Sequence, residues 1–315
     1  MGSAIEVHHL VKSYGDFTAV HDISFAVEPG EVFCLLGPNG AGKTTTTEIL
    51  EGYRDRSSGS VSVLGLDPGL GERGFRERVG IVLQECGVQA ELTVAEVLDM
   101  YGRYYPKRLT TADVIRLVEL DAKSSDLVRN LSGGQRRRLD VGLALVGDPD
   151  LIFLDEPTTG FDPAARRNSW STFRALSDLG KTVLLTTHFM DEAQALADRI
   201  AVVAAGRIVA EGTPDDLGGR DRAATRIDAL LPADLNVALP NLGTATVTID
   251  GDHLHVVTDD GVATAQHLTT WAIDHQINLA NFTVAQPTLE DIYLSLTDEV
   301  VDYRIPATSI QEELR

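Results

Sequence analysis

One stretch of this sequence has the residue types and the spacing of a loop that binds phosphate groups. Residues 37–45 fit the pattern Gly-x-x-x-x-Gly-Lys-[Ser/Thr] and read Gly37, Pro38, Asn39, Gly40, Ala41, Gly42, Lys43, Thr44 and Thr45. Glycines let consecutive backbone amides point into one concavity, and the dipole of a following helix adds positive potential there. We expect Lys43 to contact the β- and γ-phosphates of a polyphosphate and the Thr44 hydroxyl to bind Mg²⁺.

A pair of carboxylates further along the chain could act on such a phosphate group. Asp155 and Glu156 directly follow the apolar run Leu151–Leu154, which is typical of a buried strand. Because neighbouring side chains of a strand point to opposite sides, we expect the two carboxylates to have different roles. One can hold the water shell of Mg²⁺ beside Thr44, and the other can accept a proton from attacking water, a contribution of roughly 10²–10⁴-fold.

Three further side chains lie where a nucleotide could meet them, and each also has a plainer interpretation. Gln84 and His188 end two apolar runs, and ligand contacts in α/β folds come from the carboxyl ends of strands. A glutamine or histidine at a strand end is also common without any function. Tyr14, on a turn ahead of the phosphate loop, could stack on a purine, although spacing alone favours packing within the turn.

A second glycine-rich stretch, residues 131–135, reads Leu-Ser-Gly-Gly-Gln and precedes a helical pattern. At the start of a helix, free amides and the helix dipole favour an anion. The residues at that position are Ser132, Gly133, Gly134 and Gln135. The next three residues, Arg136–Arg138, point about 100° apart on a helix, so we expect a solvated or locally paired face and not a nucleic-acid surface.

Alternating and helical patterns indicate the elements that must position these residues. Apolar and polar residues alternate in Ile5–Val11 and Ala19–Val27, which predicts two antiparallel strands joined through Tyr14–Asp16. Short apolar runs, which predict buried strands, precede Gln84, the acidic pair and His188. Helical periodicity runs over residues 92–145. Within that region, Thr93–Glu96 has the form of a helix capping box.

The carboxy-terminal third has a different pattern. A linker at Gly218–Arg222 precedes a small predicted α+β unit. Its predicted elements are strands at Thr244–Ile249, His253–Thr258 and Ile277–Val284 and helices at Val262–His275 and Pro287–Leu296. His253 and His255 share a strand face and could bind a metal. No third ligand is evident in the sequence, so a solvated face is favoured.

Composition limits the class of protein. The 315 residues include 43% hydrophobic side chains and carry a net charge of −20, which argues against binding to DNA, RNA or anionic lipid. Two cysteines, Cys34 and Cys86, are too few for a disulfide framework, and we expect Cys34 to be buried. No apolar run approaches the ~18–20 residues that cross a bilayer, and residues 1–6 lack a secretion signal. We therefore expect a cytosolic protein, unless a partner holds it at a membrane.

The order of Gly37–Thr45, Leu131–Gln135 and Leu151–Glu156 resembles the motif order of the ATP-binding subunits of ABC transporters. The resemblance covers about Ile5–Leu217. It implies an α/β P-loop NTPase fold of the ABC ATPase type, with an antiparallel β subdomain and a mixed RecA-like core. A helical subdomain is implied at about residues 86–145.

The resemblance also implies a division of the chain and a direction of transport. Residues 1–217 would form the ATPase domain, 218–297 a C-terminal α+β accessory domain and 298–315 a polar tail. Residues 287–294 read Pro-Thr-Leu-Glu-Asp-Ile-Tyr-Leu. They resemble the Pro-Ser-Leu-Glu-Asp-Val-Phe-Leu pattern of bacterial daunorubicin-resistance and tetronasin exporters, which favours export of drugs, antibiotics or lipid-like molecules.

Roles for individual residues follow from the same resemblance. Tyr14 matches the aromatic residue that stacks on adenine, and Gln84 matches the glutamine that touches Mg²⁺ and senses the membrane partner. Asp155 matches the metal-binding carboxylate. Glu156 would orient and deprotonate the attacking water, and His188 would contact the γ-phosphate. ATP and Mg²⁺ are therefore the expected ligands.

The family geometry further implies an assembly of two chains, most simply two copies. Ser132 and Gly134 would close over the ATP that the other subunit holds, and Asp162 would link the two sites. Hydrolysis would proceed by in-line attack of water, with Lys43 stabilising the developing charge. Phe161 stands where the family usually has leucine, which affects only local packing.

A separate membrane permease would dock near Gln84 and residues 85–105, which would place this chain at the cytoplasmic face of the cell membrane. Other functions stay open. An ABC importer would have the same motifs. A soluble ABC ATPase acting on ribosomes or DNA is disfavoured by the single cassette and the acidic balance. A metabolic P-loop kinase would lack Leu131–Gln135.

Overall fold

The computed structural model describes residues 2–82, 87–217, 224–232, 237–286 and 288–298. The chain divides into two compact units, one that comprises residues up to Pro214 with the short stretch Leu296–Asp298, and one at Asp215–Ser295. Several predicted features lie outside the described residues: Gln84, Cys86, the linker at Gly218–Arg222, Pro287 and the tail beyond Asp298.

Two sheets form the frame of the first unit. Their strands are β1 Ile5–Tyr14, β2 Phe17–Val27, β3 Val32–Leu36, β4 Ser58–Val63, β5 Val79–Val82, β6 Leu151–Asp155, β7 Thr182–Thr187, β8 Arg199–Ala204 and β9 Arg207–Gly212. One sheet is antiparallel, in the order β2-β1-β4. In the described chain, the other sheet has the order β5-β6-β7-β3-β8-β9 and is parallel except for the β8–β9 pair.

Helices connect these strands. They are α1 Lys43–Leu50, α2 Arg73–Arg78, α3 Val94–Gly102, α4 Thr111–Leu117, α5 Gly133–Leu145, α6 Pro163–Asp178 and α7 Met190–Leu196. The capping box predicted at the start of α3 is confirmed: Thr93 Oγ1 accepts from the Glu96 amide at 3.2 Å, and the Glu96 carboxylate accepts from the Thr93 amide at 2.8 Å. In the described parts of the chain, no helix combines the length and the apolar composition that a bilayer crossing requires.

A buried apolar core joins the antiparallel sheet, the parallel sheet and α1. It contains Leu10 and Ile23 from the first sheet, Phe33 and Phe153 from the second, and Ile49 from α1. Burying a side chain of this size contributes roughly 1.5–3 kcal/mol. The core therefore fixes α1, and the loop that leads into it, against the end of β3.

The strand register brings the predicted polar positions to one edge of the parallel sheet. Leu36, the last residue of β3, pairs with Thr187 at the end of β7. Asp155, the last residue of β6, pairs with Thr186. Because parallel strands point the same way, the phosphate loop, the acidic pair and His188 all follow at this edge.

The second unit has its own sheet and core. Its elements are β10 Thr225–Leu230, β11 Thr246–Asp250, β12 His253–Thr258, α8 Gly261–Asp274 and β13 Ala280–Ala285. It also contains the part of α9, Leu289–Asp298, up to Ser295. The strands pair antiparallel in the order β11-β12-β10-β13, and Ile227, Leu254 and Leu268 lie in the core. β10 was not predicted from the sequence, because its place inside the sheet depends on pairing with β12 and β13, which are distant along the chain.

The structure bears on two predictions made from the sequence, one for the histidines His253 and His255 and one for the arginines of α5. His253 and His255 lie side by side on β12 with ring centroids 6.1 Å apart, and His255 Nδ1 is 2.5 Å from Asp228 Oδ1. Among the described residues, no group of three such side chains could hold a metal ion. Arg137 is not solvated: it is 6% exposed and lies 3.9 Å from Asp140, one turn along α5.

Candidate functional site

The phosphate loop surrounds a buried lysine. The loop joins β3 to α1, and Lys43, the first residue of α1, is 3% exposed. Its Nζ donates to the carbonyls of Gly37 at 2.8 Å and Pro38 at 3.1 Å. Gly40 and Gly42 have φ angles of 81° and 98°, in the left-handed region that favours glycine. The backbone conformation therefore favours glycine at positions 40 and 42.

The first turn of α1 is open to a ligand. Gly42 occupies the capping position and supplies no side-chain hydrogen bond, so the amides of this turn keep their capacity to bind an anion. The hydroxyls of Thr46 and Thr47 donate to backbone carbonyls one turn earlier, at 2.9 and 3.1 Å. Thr44 is exposed and Thr45 is half-buried. Thr46 and Thr47 therefore have structural roles, and Thr44 is the exposed threonine of this turn.

Glu156 lies between Lys43 and His188. Its Oε1 is 3.3 Å from Lys43 Nζ, and its Oε2 is 3.3 Å from His188 Nδ1 and accepts from Thr159 Oγ1 at 3.0 Å. Burial raises the pKa of Glu156, but the Thr159 hydroxyl and the charge of Lys43 outweigh burial, so the net pKa is lowered. Glu156 is ionised at neutral pH, as a group that accepts a proton from water must be.

A buried threonine, Thr186, contacts the side chain of Asp155 and the backbone of Glu156. Its hydroxyl donates to Asp155 Oδ1 at 2.5 Å and accepts from the Glu156 amide at 3.0 Å. Burial raises the pKa of Asp155 and the Glu156 charge adds to this, while the Thr186 hydrogen bond opposes both. Thr186 was not predicted from the sequence, because its sole signal is a hydroxyl two positions before His188.

The strand alternation used to separate the two carboxylates ends one residue early. β6 stops at Asp155, and Glu156 has a φ angle of 41°, which is uncommon for a residue with a side chain. The different environments of Asp155 and Glu156 therefore come from this turn and from their neighbours. Asp155 faces the Thr186 hydroxyl, whereas Glu156 faces the Lys43 ammonium group and the His188 ring.

His188 directly follows β7 and has an unsatisfied ring nitrogen. Within the described residues, its buried Nδ1 has no hydrogen-bond partner, although Glu156 Oε2 is close by. The Phe189 ring lies 4.0 Å away, centroid to centroid. A buried polar atom without a partner is rare in folded proteins. It fits a position where a ligand supplies the missing group.

Tyr14, the last residue of β1, presents an exposed ring that neighbouring cations hold in place. The residue is 40% exposed. Lys12 Nζ lies 4.9 Å and the Arg54 guanidinium 5.4 Å from the ring centroid, and Arg54 pairs with Glu48 at 2.5 Å. Each cation–π contact at an exposed site is worth roughly 0.5–1 kcal/mol. An oriented, accessible ring of this kind can stack on a base.

Ser132–Gln135 forms a separate group at the start of α5. Ser132 Oγ accepts from the Gln135 amide at 3.3 Å, and Gln135 Oε1 accepts from the Ser132 amide at 3.0 Å. Ser132, Gly133 and Gly134 are exposed. In the part of the chain that the structure describes, no hydrogen bond or ion pair joins this group to the phosphate loop.

Asp162 caps α6. Its Oδ1 accepts from the amides of Ala165 and Ala164, both at 2.9 Å, and these bonds lower the pKa of the exposed carboxylate. This cap was not predicted from the sequence, although an aspartate before Pro163 at a helix start is a recognised signal. Among the predicted site residues, the structure brings together Lys43, Asp155, Glu156 and His188 at one edge of the parallel sheet.

Comparison with known proteins agrees with this geometry. Residues 20–159 match the ABC transporter family, and residues 225–288 match the C-terminal domain of ABC transporter domain-containing proteins. Nod factor export ATP-binding protein I of Rhizobium johnstonii is 39% identical over 304 residues, which cover 93% of this chain and 94% of that protein. The chain belongs to the ABC transporter family. It is an ATP-binding subunit and an ATPase.

Other members of the ABC family show the same similarity. The protein of the same name from Rhizobium meliloti is 37% identical over 309 residues, covering 93% of this chain and 88% of that protein. The solved structure of cbiO1 from Clostridium perfringens, part of the ABC transporter complex cbiONQ, has a TM-score of 0.62 at 26% identity and covers 69% of this chain and 90% of its own. The predicted α/β P-loop NTPase fold is confirmed.

The residues of this ABC subunit fit ATP with Mg²⁺. The open first turn of α1 can bind phosphate oxygens. His188 Nδ1, which has no hydrogen-bond partner among the described residues, lies close to the Glu156 carboxylate. Mg²⁺ prefers hard oxygen ligands, and the exposed Thr44 hydroxyl and the Asp155 carboxylate are of that type.

Proposed function

We propose that this chain hydrolyses ATP to drive export through a separate membrane permease. The single observation that carries the hydrolytic role is the position of Glu156, held 3.3 Å from both Lys43 Nζ and His188 Nδ1. Export is supported by the relatives, which are named Nod factor export ATP-binding protein I. No observation favours import, nor action on ribosomes or DNA.

Each residue at the sheet edge has one task in this proposal. Glu156 orients the attacking water and takes its proton, which its lowered pKa permits. Lys43 and His188 stabilise charge that develops on the phosphate oxygens. Thr44 and Asp155 would hold Mg²⁺, which would supply positive charge beside the phosphate oxygens. Free backbone amides of the phosphate loop and of the first turn of α1 would hold the phosphates, and Tyr14 would stack on the adenine. Gln84, which lies outside the described residues, would contact the metal.

The assembly proposed for this function contains two copies of the chain. Exposed Ser132, Gly133 and Gly134, with Gln135 fixing their helix end, would meet the nucleotide held by the other copy. Asp162 would link the two sites from the start of α6. A permease would dock near residues 84–105 and hold the dimer at the cytoplasmic face of the membrane.

For the exported substrate, we propose a drug, an antibiotic or a lipid-like molecule. The pattern at residues 287–294 supports this class through its resemblance to daunorubicin and tetronasin exporters. Such a function would amount to multidrug efflux or antibiotic resistance. The Nod factor exporters among the relatives widen the range of amphipathic cargo to be tested, so transport assays should include both classes.

The function is tested by Glu156→Gln in the full chain. We expect ATP hydrolysis to fall at least roughly 10²-fold while binding of a fluorescent ATP analogue persists and Mg²⁺–ATP traps a dimer on light scattering. Glu290→Gln, which makes the same change at an exposed position of the second unit, serves as the control. Equal turnover by Glu156→Gln and wild type would refute the assigned base.

A further inference from the structure

A buried hydrogen bond joins the loop that follows Glu156 to the helix that follows His188. Thr158 Oγ1 donates to Glu192 Oε1 at 2.8 Å, and the two residues are 1% and 0% exposed. Thr158 lies two residues after Glu156, and Glu192 lies on α7 four residues after His188. Burying a carboxyl group is costly unless it makes compensating contacts, so its location calls for a role.

Glu192 lies at a junction of three segments of the site. Burial raises the pKa of Glu192, although the hydroxyls of Thr187 and Thr158 oppose it. Thr187 belongs to the end of β7, and its carbonyl accepts a hydrogen bond from the Gly37 amide at 3.2 Å. The carboxyl group therefore contacts the segments that carry Glu156 and His188, next to the first residue of the phosphate loop.

A second contact joins the same two segments nearer the surface. Arg166, on α6, lies one helical turn after Asp162, the cap of that helix. Its Nη2 is 2.9 Å from Asp191 Oδ2, and its guanidinium lies 4.0 Å from the centroid of the Phe189 ring. Phe189 in turn packs on His188. Arg166 thus links the beginning of α6 to the beginning of α7 through two contacts, one with Asp191 and one with Phe189.

We propose that Glu192 is a positioning residue for ATP hydrolysis, which fixes the Glu156 loop relative to the His188 loop by binding Thr158. The inference rests on the proposed function, because it requires Glu156 and His188 to act on the same phosphate. A displacement of about 1 Å in such a constellation can lower the rate roughly 10²-fold. The contact acts on the chemical step and leaves the phosphate loop and Tyr14 unchanged, so nucleotide binding should persist.

Thr158→Val tests this inference, because valine keeps the shape of threonine and removes only the hydroxyl. In the full chain with Mg²⁺–ATP, we expect kcat to fall roughly tenfold or more, with KM for ATP within about twofold of wild type. Thr158→Ser keeps the hydroxyl and should retain the wild-type kcat. Thr172→Val is the matched control, because Thr172 is a buried α6 threonine whose Oγ1 has no partner among the described residues.

The carboxyl side of the pair gives an independent measurement. Glu192→Gln keeps an acceptor for Thr158 and should retain kcat, whereas Glu192→Leu should lower it. Adding Glu192→Leu to Thr158→Val should cause no further loss, because both remove the same bond. Wild-type kcat in Thr158→Val, or a loss of ATP affinity equal to the loss of kcat, would overturn the inference. If Glu156→Gln loses ATPase activity while Thr158→Val keeps the wild-type kcat, the positioning role of Glu192 is wrong and the proposed function still stands.

Discussion

The hydroxyl of Thr186 donates a 2.5 Å hydrogen bond to Oδ1 of Asp155, across the junction of two neighbouring parallel strands. The Thr186 hydroxyl oxygen also accepts a hydrogen bond from the Glu156 amide at 3.0 Å. One buried hydroxyl thus fixes the side chain of the proposed metal ligand and the backbone of the proposed base. The chain turns into the left-handed region immediately afterwards, at Glu156.

Thr186→Val should therefore impair hydrolysis without changing the shape of the core. Hydrogen bonds to charged groups contribute roughly 1.5–3 kcal/mol, so we expect kcat to fall roughly tenfold or more. The lost bond normally lowers the pKa of Asp155. Removing this hydrogen bond should raise the pKa of Asp155, so Asp155 stays protonated to higher pH. The acid limb of the pH–rate profile should therefore shift to higher pH.

The control for this variant is Thr182→Val, at the other end of β7. Thr182 is also buried, and its hydroxyl accepts from the Gly30 amide at 2.9 Å. This substitution should lower stability but leave kcat and the pH profile as in wild type. A pH–rate profile of Thr186→Val that superimposes on that of wild type would contradict the role given to Thr186.

Tyr14→Ala should weaken ATP binding more than it slows catalysis. Stacking of a base on an aromatic ring is worth roughly 1–3 kcal/mol, so KM for ATP should rise by at least about fivefold. Tyr14→Phe keeps the ring beside Lys12 and Arg54 and should retain the wild-type KM. A lower kcat with unchanged KM would instead assign Tyr14 to packing of the β1–β2 turn.

Local sequence was sufficient to predict the groups that depend on local backbone shape. The glycine pattern before Lys43 reflects left-handed residues that the loop requires, and the apolar run before Asp155 reflects a buried strand. Both signals lie within ten residues of the group they position. For the same reason, the predicted capping box of α3 is encoded within four residues. The capping box of α5 is equally local but was not predicted.

Contacts between distant segments could not be predicted in this way. Thr186 and Asp155 are 31 residues apart, and Thr158 and Glu192 are 34 apart. Their pairing depends on which strands are neighbours, and strand order follows from the whole fold. β10 was missed for a related reason, because it becomes a central strand only through its pairing with β12 and β13.

Glu51→Gln should change the pH dependence of stability. Glu51 is 7% exposed at the end of α1, and its Oε1 has no partner among the described residues. Burial, with smaller effects from the charges of Asp155 and Glu48, raises its pKa from 4.5 to about 8. The folded chain therefore keeps a proton that the unfolded chain has already lost.

The sign of the effect follows from this raised pKa. The contribution of Glu51 to stability is fully present below about pH 4.5 and is lost as the pH rises towards about 8. Glutamine stays neutral, so urea unfolding of Glu51→Gln should show a smaller fall in stability between pH 5 and pH 9. Parallel stability curves for wild type and variant would mean that Glu51 ionises normally.

The most direct test of the account is the structure of the Glu156→Gln chain loaded with Mg²⁺–ATP. We predict a two-copy assembly in which the exposed Ser132–Gly134 turn of each copy contacts the γ-phosphate held by Lys43 of the other. A nucleotide-loaded assembly in which that turn faces solvent, away from either ATP, would contradict the account.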